Sequence, residues 1–259
     1  MRALSLGKQI SEWISAKGRT VINIPHEGTM PKLSSLDLAI CVGGDGSLIK
    51  LASLLNSYPV PVLGINAGSL GFLTNVREEE VYDEIERVFR GEYSVEGRFM
   101  LEAKIFRANG EKMDVTVFNE ITVCREGLTR FLNVDVYLDG SRLAAYAGDG
   151  AIFATPTGST AYSLSAGGPL IFPTLKCYLV TPLCAHSMKA RPIVLPAEKE
   201  IEVGIKCENE GEECLVVFDG HEKITMNSKD KLIVRSSPHI FRLISSCRRS
   251  YGDIVNDKL

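Results

Sequence analysis

The spacing of apolar residues changes character near residue 98. Before it, helix-like and strand-like patterns alternate. Ile10, Trp13 and Ile14 share one face of a helix over residues 8–17. Leu48, Leu51, Ala52 and Leu55 repeat at helical spacing over 47–55, and Val81, Ile85 and Val88 mark a third helix that ends near Gly91. Between them lie short apolar runs rich in β-branched residues, at 20–24, 36–42 and 60–65. Buried parallel strands carry such runs. This β-α-β-α order predicts an α/β domain of Rossmann-like layers.

After residue 98 the period falls from 3.6 to 2. Leu101, Ala103 and Ile105 alternate with Glu102 and Lys104, and Leu132, Val134, Val136 and Leu138 alternate up to Asp139-Gly140. That dipeptide is a hairpin-turn signal. Ile201, Val203 and Ile205 alternate too, and 215–218 and 232–234 read as strands. The pattern predicts a mostly antiparallel, all-β second domain. The boundary falls at 95–98, giving domains over 1–97 and 98–245. No Pro- or Ser-rich linker marks it, so tightly joined domains are expected.

Composition narrows the function classes. The chain has 259 residues, enough for one large or two ordinary domains, and 45% of them are hydrophobic against 24% charged. The net charge is -3, which gives no electrostatic case for nucleic acid. Residues 150–175 carry no formal charge, yet three prolines and many Gly, Ser and Thr make them unfit for lipid. No membrane partner is expected, and the apolar run at the start is too short for a signal peptide. The seven cysteines show no CxxC pair and no zinc-site spacing, as in a reduced, cytoplasmic protein.

Three segments carry candidate chemistry. In Cys41-Val42-Gly43-Gly44-Asp45-Gly46-Ser47 an apolar strand runs into three glycines around one aspartate, and a helix follows. Glycines and helix-start amides suit a phosphate. Asp45 would repel one unless it has a task, such as accepting a hydroxyl proton. The alternative is a tight turn with Asp45 as N-cap. In 118–123 the pair Asn119-Glu120 interrupts an apolar strand. It either grips ligand hydroxyls or sits at a surface bulge or strand end. In 148–169 a strand leads through Gly148-Asp149-Gly150 into a dense set of small hydroxyl residues, glycines and one tyrosine. That composition points to a wall for a flat ligand rather than to a structural loop.

Taken together, the GGDG loop, the Asn-Glu pair and the block TPTGSTAYSLSAGGP, in this order and spacing, resemble the NAD kinase family from about residue 36 onward. The block is the specific part; GGDG alone also occurs in lipid kinases and phosphofructokinases. The resemblance implies an N-terminal α/β domain and a C-terminal all-β domain with the active site between them, and a tail, about 246–259, that returns to the first domain. It implies transfer of a terminal phosphoryl group from ATP or polyphosphate to the 2′-hydroxyl of the adenosine ribose of NAD, giving NADP. A divalent metal, magnesium, would travel with the nucleotide, and no fixed protein metal site is implied.

Residue by residue, the resemblance makes Asp45 the proton acceptor and puts Gly43, Gly44 and Gly46 on the phosphates. Lys50 matches a position that is often basic. Asn119 and Glu120 match the pair on ribose and adenine. Thr160, Ala161, Tyr162, Ser163, Leu164 and Ser165 match the loop around the dinucleotide, with Asp149 as its polar neighbour. By spacing alone, Arg130, Ala147, Cys184 and His221 line the same pocket. A homodimer or homotetramer is implied as well. Two departures stand out. Residues 1–6 replace the first strand of many members poorly, and Cys184-Ala185 lies in a segment that often carries Pro before the His. The competing readings are another GGDG-type kinase, acting on a lipid or a sugar, and a non-catalytic dinucleotide-binding regulator.

Overall fold

The computed structural model describes residues 2–24, 35–55, 58–68, 70–74, 76–127, 131–206, 213–245 and 249–258. The chain forms two compact units, Met1–Gly97 with Phe241–Leu259, and Arg98–Ile240.

The first unit holds α1 (Arg2–Ala16), β1 (Ala39–Gly43), α2 (Asp45–Leu54), β2 (Pro61–Asn66) and α3 (Val81–Phe89). β1 and β2 pair in parallel from Ala39↔Val62 to Gly43↔Asn66. Five of the six β2 residues are buried, as a two-sided parallel strand requires. Leu6, Ile10 and Ile14 of α1 and Val81, Ile85 and Val88 of α3 pack with Leu63 and Ile65 of β2. The stripe that begins at Leu6 explains why α1 starts at Arg2 rather than at residue 8. It also settles the first departure: residues 2–6 are helical, not a short strand. The strand expected at 20–24 is absent; these residues belong to no helix or strand, and Ile22 is exposed.

The second unit is built from β3 (Ser94–Phe106), β4 (Lys112–Val117), β5 (Glu120–Arg125), β6 (Leu132–Leu138), β7 (Ser141–Gly148), β8 (Gly150–Ala154), α4 (Tyr162–Ser165), β9 (Cys177–Leu183), β10 (Ile193–Pro196), β11 (Ile201–Lys206), β12 (Cys214–Phe218), β13 (Glu222–Met226) and β14 (Lys231–Ser245). Helix α5 (Tyr251–Lys258) follows and, like the end of β14, belongs to the first unit. Arg242 and Leu243 of β14 pair in parallel with Pro61 and Val62 of β2.

One antiparallel sheet of the second unit runs β10-β9-β8-β5-β12-β13; in the other, β11 pairs with β14 and β6, and β6 with β7. Alternate residues of both sheets share one core, including Leu101, Val134, Phe153, Tyr178 and Val216. The strands expected around 101–105, 132–138, 201–205, 215–218 and 232–234 are all present. Asp139 and Gly140 form the β6–β7 turn with φ of 50° and 78°, the two positive values of a type I′ hairpin.

Candidate active site

Asp45 stands at the carboxyl end of β1, where α2 begins. The N-cap of α2 is Gly44, with no side-chain cap hydrogen bond, so the N-cap reading of Asp45 is not what the chain does. Its carboxylate instead accepts from a loop 27 to 29 residues away: the Phe72 amide donates to Oδ2 at 2.7 Å, and the Leu73 and Thr74 amides to Oδ1 at 3.1 and 3.0 Å. The Thr74 hydroxyl adds a fourth hydrogen bond to Oδ1 at 3.0 Å. A carboxylate has about four lone-pair sites, two on each oxygen. Oδ1 is therefore saturated, and among the described residues Oδ2 has one donor and room for one more.

The three glycines of the loop differ. A Cβ on Gly43 would lie 2.8 Å from Ser47 Cβ, so packing demands glycine there. Gly44 and Gly46 are exposed, and a Cβ on either would meet nothing within 4 Å. Gly44 is extended, with φ -105° and ψ -176°, a conformation open to any residue. Among the described residues neither packing nor backbone strain accounts for glycine at 44. Lys50 is half-buried on α2. Burial, with the charge of Asp45 adding to it, pushes the Cys41 thiol up to about 12, so it stays protonated.

In the second unit Glu120 opens β5 and Asn119 directly precedes it; they are 7% and 6% exposed, which excludes a strand end at the surface. Asn119 Oδ1, Glu120 Oε2 and Thr157 Oγ1 are buried without a hydrogen-bond partner among the described residues. Each such atom costs about 1–3 kcal/mol unless something satisfies it. The pair is held rigidly. Asp219 accepts from three consecutive amides, Phe118 at 2.8 Å, Asn119 at 2.7 Å and Glu120 at 3.0 Å. Its own amide donates to the Glu120 carbonyl at 3.0 Å. Burial pushes the Glu120 carboxyl up to about 8, and the neighbouring charge of Asp219 adds to it. Asp219 is raised too, because burial outweighs the amides that hold it.

The block after β8 packs on the same pair. Thr155 donates its amide to Asn119 O at 2.8 Å and its hydroxyl to Phe118 O at 2.7 Å. A Cβ on Gly158 would lie 2.9 Å from Asn119 Cα and closer still to its carbonyl, so glycine is required. The hydroxyl wealth read as a ligand wall is partly used inside the chain. The Ser159 hydroxyl bonds the Ile171 amide at 3.0 Å, and the Thr160 hydroxyl bonds the Thr157 carbonyl at 3.0 Å. Ser163 is fully buried and shares a hydrogen bond with the Thr181 hydroxyl at 2.8 Å, so its side chain holds the turn instead of lining a surface. Ala161 and Leu164 are half-buried, and Tyr162 and Ser165 are exposed.

Asp149 is held by Arg125, whose Nε donates to Oδ1 at 2.7 Å. The Cys184 thiol hydrogen-bonds Asp149, which raises its pKa, and burial raises that of the Tyr162 hydroxyl, with the charges of Cys124, Cys184 and Asp149 adding to it. Asp149 and Cys184 are thus brought together. Cys184 is exposed, with φ 43°. Gly150, at φ 148°, sits where a Cβ would collide with the Val123 carbonyl. Ala147, half-buried on β7, accepts the His186 amide at 2.9 Å, and His221 is exposed on the β12–β13 turn with Nδ1 2.9 Å from the Asp219 carbonyl. Arg130 lies outside the described residues. The sequence reading missed Asp219, Arg125 and the loop around Gly71–Thr74; the Asp219-Gly220 turn dipeptide was the one available signal.

Residues 6–93 match the model of the ATP-NAD kinase N-terminal domain and residues 118–246 that of the ATP-NAD kinase C-terminal domain. An NAD kinase of Geotalea daltonii is 33% identical over 268 residues, covering 100% of this chain and 94% of the relative. The chain belongs to the NAD kinase family. An NAD kinase of Syntrophotalea carbinolica is 37% identical, over 90% of this chain and 80% of that relative. Among solved structures, an NAD kinase from Archaeoglobus fulgidus in complex with ATP superimposes with a TM-score of 0.78 at 26% identity, covering 96% of this chain and 94% of that one. Yeast NADH kinase complexed with NADH gives a TM-score of 0.76 at 26% identity, over 86% of this chain and 67% of that one. The α/β domain followed by an antiparallel β domain is the fold of this family, and the chain is a kinase that phosphorylates NAD to NADP. Nothing in these likenesses supports a lipid or sugar kinase or a non-catalytic regulator.

Proposed function

We propose that Asp45 takes the proton of the adenosine ribose 2′-hydroxyl as that oxygen attacks the terminal phosphorus of ATP. The O2′–P bond forms, the bridging P–O bond breaks, ADP leaves, and the hydroxyl proton passes to the carboxylate. Such transfers ask the protein mainly for positioning and charge neutralisation. A held base contributes about 10²–10⁴-fold. The observation that carries this reading is the fixed Asp45 carboxylate, with one oxygen still able to accept, beside Gly44 and Gly46, which the chain does not need as glycines.

The amides around Gly44 and Gly46 hold the donor phosphates, with Lys50 nearby on α2. Asn119, Glu120 and Thr157 supply the partnerless oxygens that accept from ribose and adenine. Thr160, Ala161, Tyr162, Leu164, Ser165 and Asp149, with Arg130, Ala147, Cys184 and His221, complete the dinucleotide contacts. A divalent cation, magnesium, travels on the donor phosphates and neutralises their charge. Among the described residues no three His, Cys, Asp or Glu side chains stand together as a cage for it. The phosphoryl donor is ATP or inorganic polyphosphate. We place the enzyme in the cytoplasm as a homodimer or homotetramer that supplies NADP.

The test is NADP formation, read with an NADP-specific dehydrogenase, from NAD with magnesium and ATP or polyphosphate. The native protein makes NADP, and Asp45→Asn loses at least ~10²-fold in kcat while still binding NAD. A loss below tenfold removes Asp45 as the base.

A further inference from the structure

We infer that Asn66 and Thr74 form a directional hydrogen-bond relay that positions the Asp45 carboxylate for turnover. The relay rests on the reading of Asp45 as the base. Its direction follows from one contact. The Gly68 amide donates to the Asn66 side-chain oxygen at 2.6 Å, so that oxygen is fixed as acceptor and Nδ2 as donor. Nδ2 then donates to Thr74 Oγ1 at 2.8 Å. With its oxygen occupied, the Thr74 hydroxyl turns its own proton to Asp45 Oδ1, 3.0 Å away.

The result is positional. Oδ1 carries the Leu73 and Thr74 amides and this hydroxyl, which pins the carboxylate rotamer and leaves Oδ2 as the oxygen that can receive a proton. Asn66 and Thr74 are 3% and 0% exposed, so water cannot replace either group. Hydrogen bonds aligned in a buried chain also strengthen one another. A merely structural pair would satisfy itself; this one ends on the single carboxylate of the glycine loop.

The experiment compares Thr74→Val, Thr74→Ser, Asn66→Ala and Asp45→Asn in steady-state assays with NAD and magnesium-ATP. Thr74→Val keeps the shape and the Thr74 amide but loses the hydroxyl. We expect kcat to fall at least about tenfold, the worth of one hydrogen bond to a charged group, with KM for NAD within about twofold. Thr74→Ser recovers most of kcat. On the Asp45→Asn background Thr74→Val has no further effect, because there is no base left to position. Should Thr74→Val not fold, Asn66→Ala in the same assay loses kcat and not KM. A folded Thr74→Val with native kcat, or a change confined to KM, overturns the relay while leaving Asp45→Asn to decide the base. Asp45→Asn with native kcat overturns the base itself.

Discussion

Gly71 faces the carboxylate of Asp45 so closely that a Cβ on it would lie 2.6 Å from Oδ2 and closer still to Cγ and Oδ1. The glycine is the reason the loop amides can close on the carboxylate. Gly71→Ala must swing the carboxylate off the amides of Phe72, Leu73 and Thr74. We expect kcat to drop by at least about tenfold, and a stability loss of about 1–3 kcal/mol from the overpacked contact. Initial rates and a thermal melt on one preparation check both. Native turnover in Gly71→Ala would show that the clamp does not matter to the reaction.

Asp219 organises the second cluster by accepting from the amides of Phe118, Asn119 and Glu120 at once. Asp219→Asn keeps the volume but turns an NH2 group toward those donors. The Asn119–Glu120 segment then shifts, and the expected result is a KM for NAD raised about tenfold, as for one or two charged hydrogen bonds. Calorimetric titration with NAD measures it directly; affinity equal to the parent's contradicts the assignment.

Protonation of Glu120 gives a pH signature. Its carboxyl is pushed from 4.5 to about 8, so the folded state binds a proton the unfolded state has released across that window. Stability of the ligand-free protein therefore falls as pH rises from the unfolded value through the folded one. The raised Asp219 acts in the same sense. Glu120→Gln should give a shallower decline of the thermal midpoint between pH 5 and 9, with Asp219 accounting for what remains, and a weaker grip on NAD. An unchanged slope would mean that Glu120 ionises freely in the fold.

What the sequence made legible was local. Asp139-Gly140 announced its hairpin through turn chemistry alone. Asp219-Gly220 also takes two positive φ values, 47° and 72°, yet its importance lies in a carboxylate reaching amides 99 to 101 residues away. Asp45 misleads for the same reason. At a helix start an aspartate looks like a cap, and only the returning 72–74 loop shows where its oxygens go. The run at 20–24 has the composition of a strand without the burial that would stabilise one. In the small-residue block, composition announced a special surface but could not separate hydroxyls used inside, such as Ser163, from Thr157, which has no partner among the described residues.

Ala161 tests that surface. It joins the short helical turn at Gly158–Thr160 to α4, half-buried, beside an exposed Tyr162 and ahead of an exposed Ser165. Its amide donates to Gly158 O at 2.9 Å and its carbonyl accepts from Leu164, so the backbone is fixed whatever the side chain. Leucine at this half-buried position adds volume to a braced turn. If the turn is scaffold alone, the cost is within about 0.5 kcal/mol, as for a surface change. If NAD lies against it, the same volume excludes the ligand. The expected outcome for Ala161→Leu is a thermal midpoint close to the parent's without ligand and no upward shift on adding NAD. A mutant that NAD stabilises as well as it does the parent would take Thr160–Ser165 out of the binding surface and leave Asn119, Glu120 and Thr157 to hold the dinucleotide.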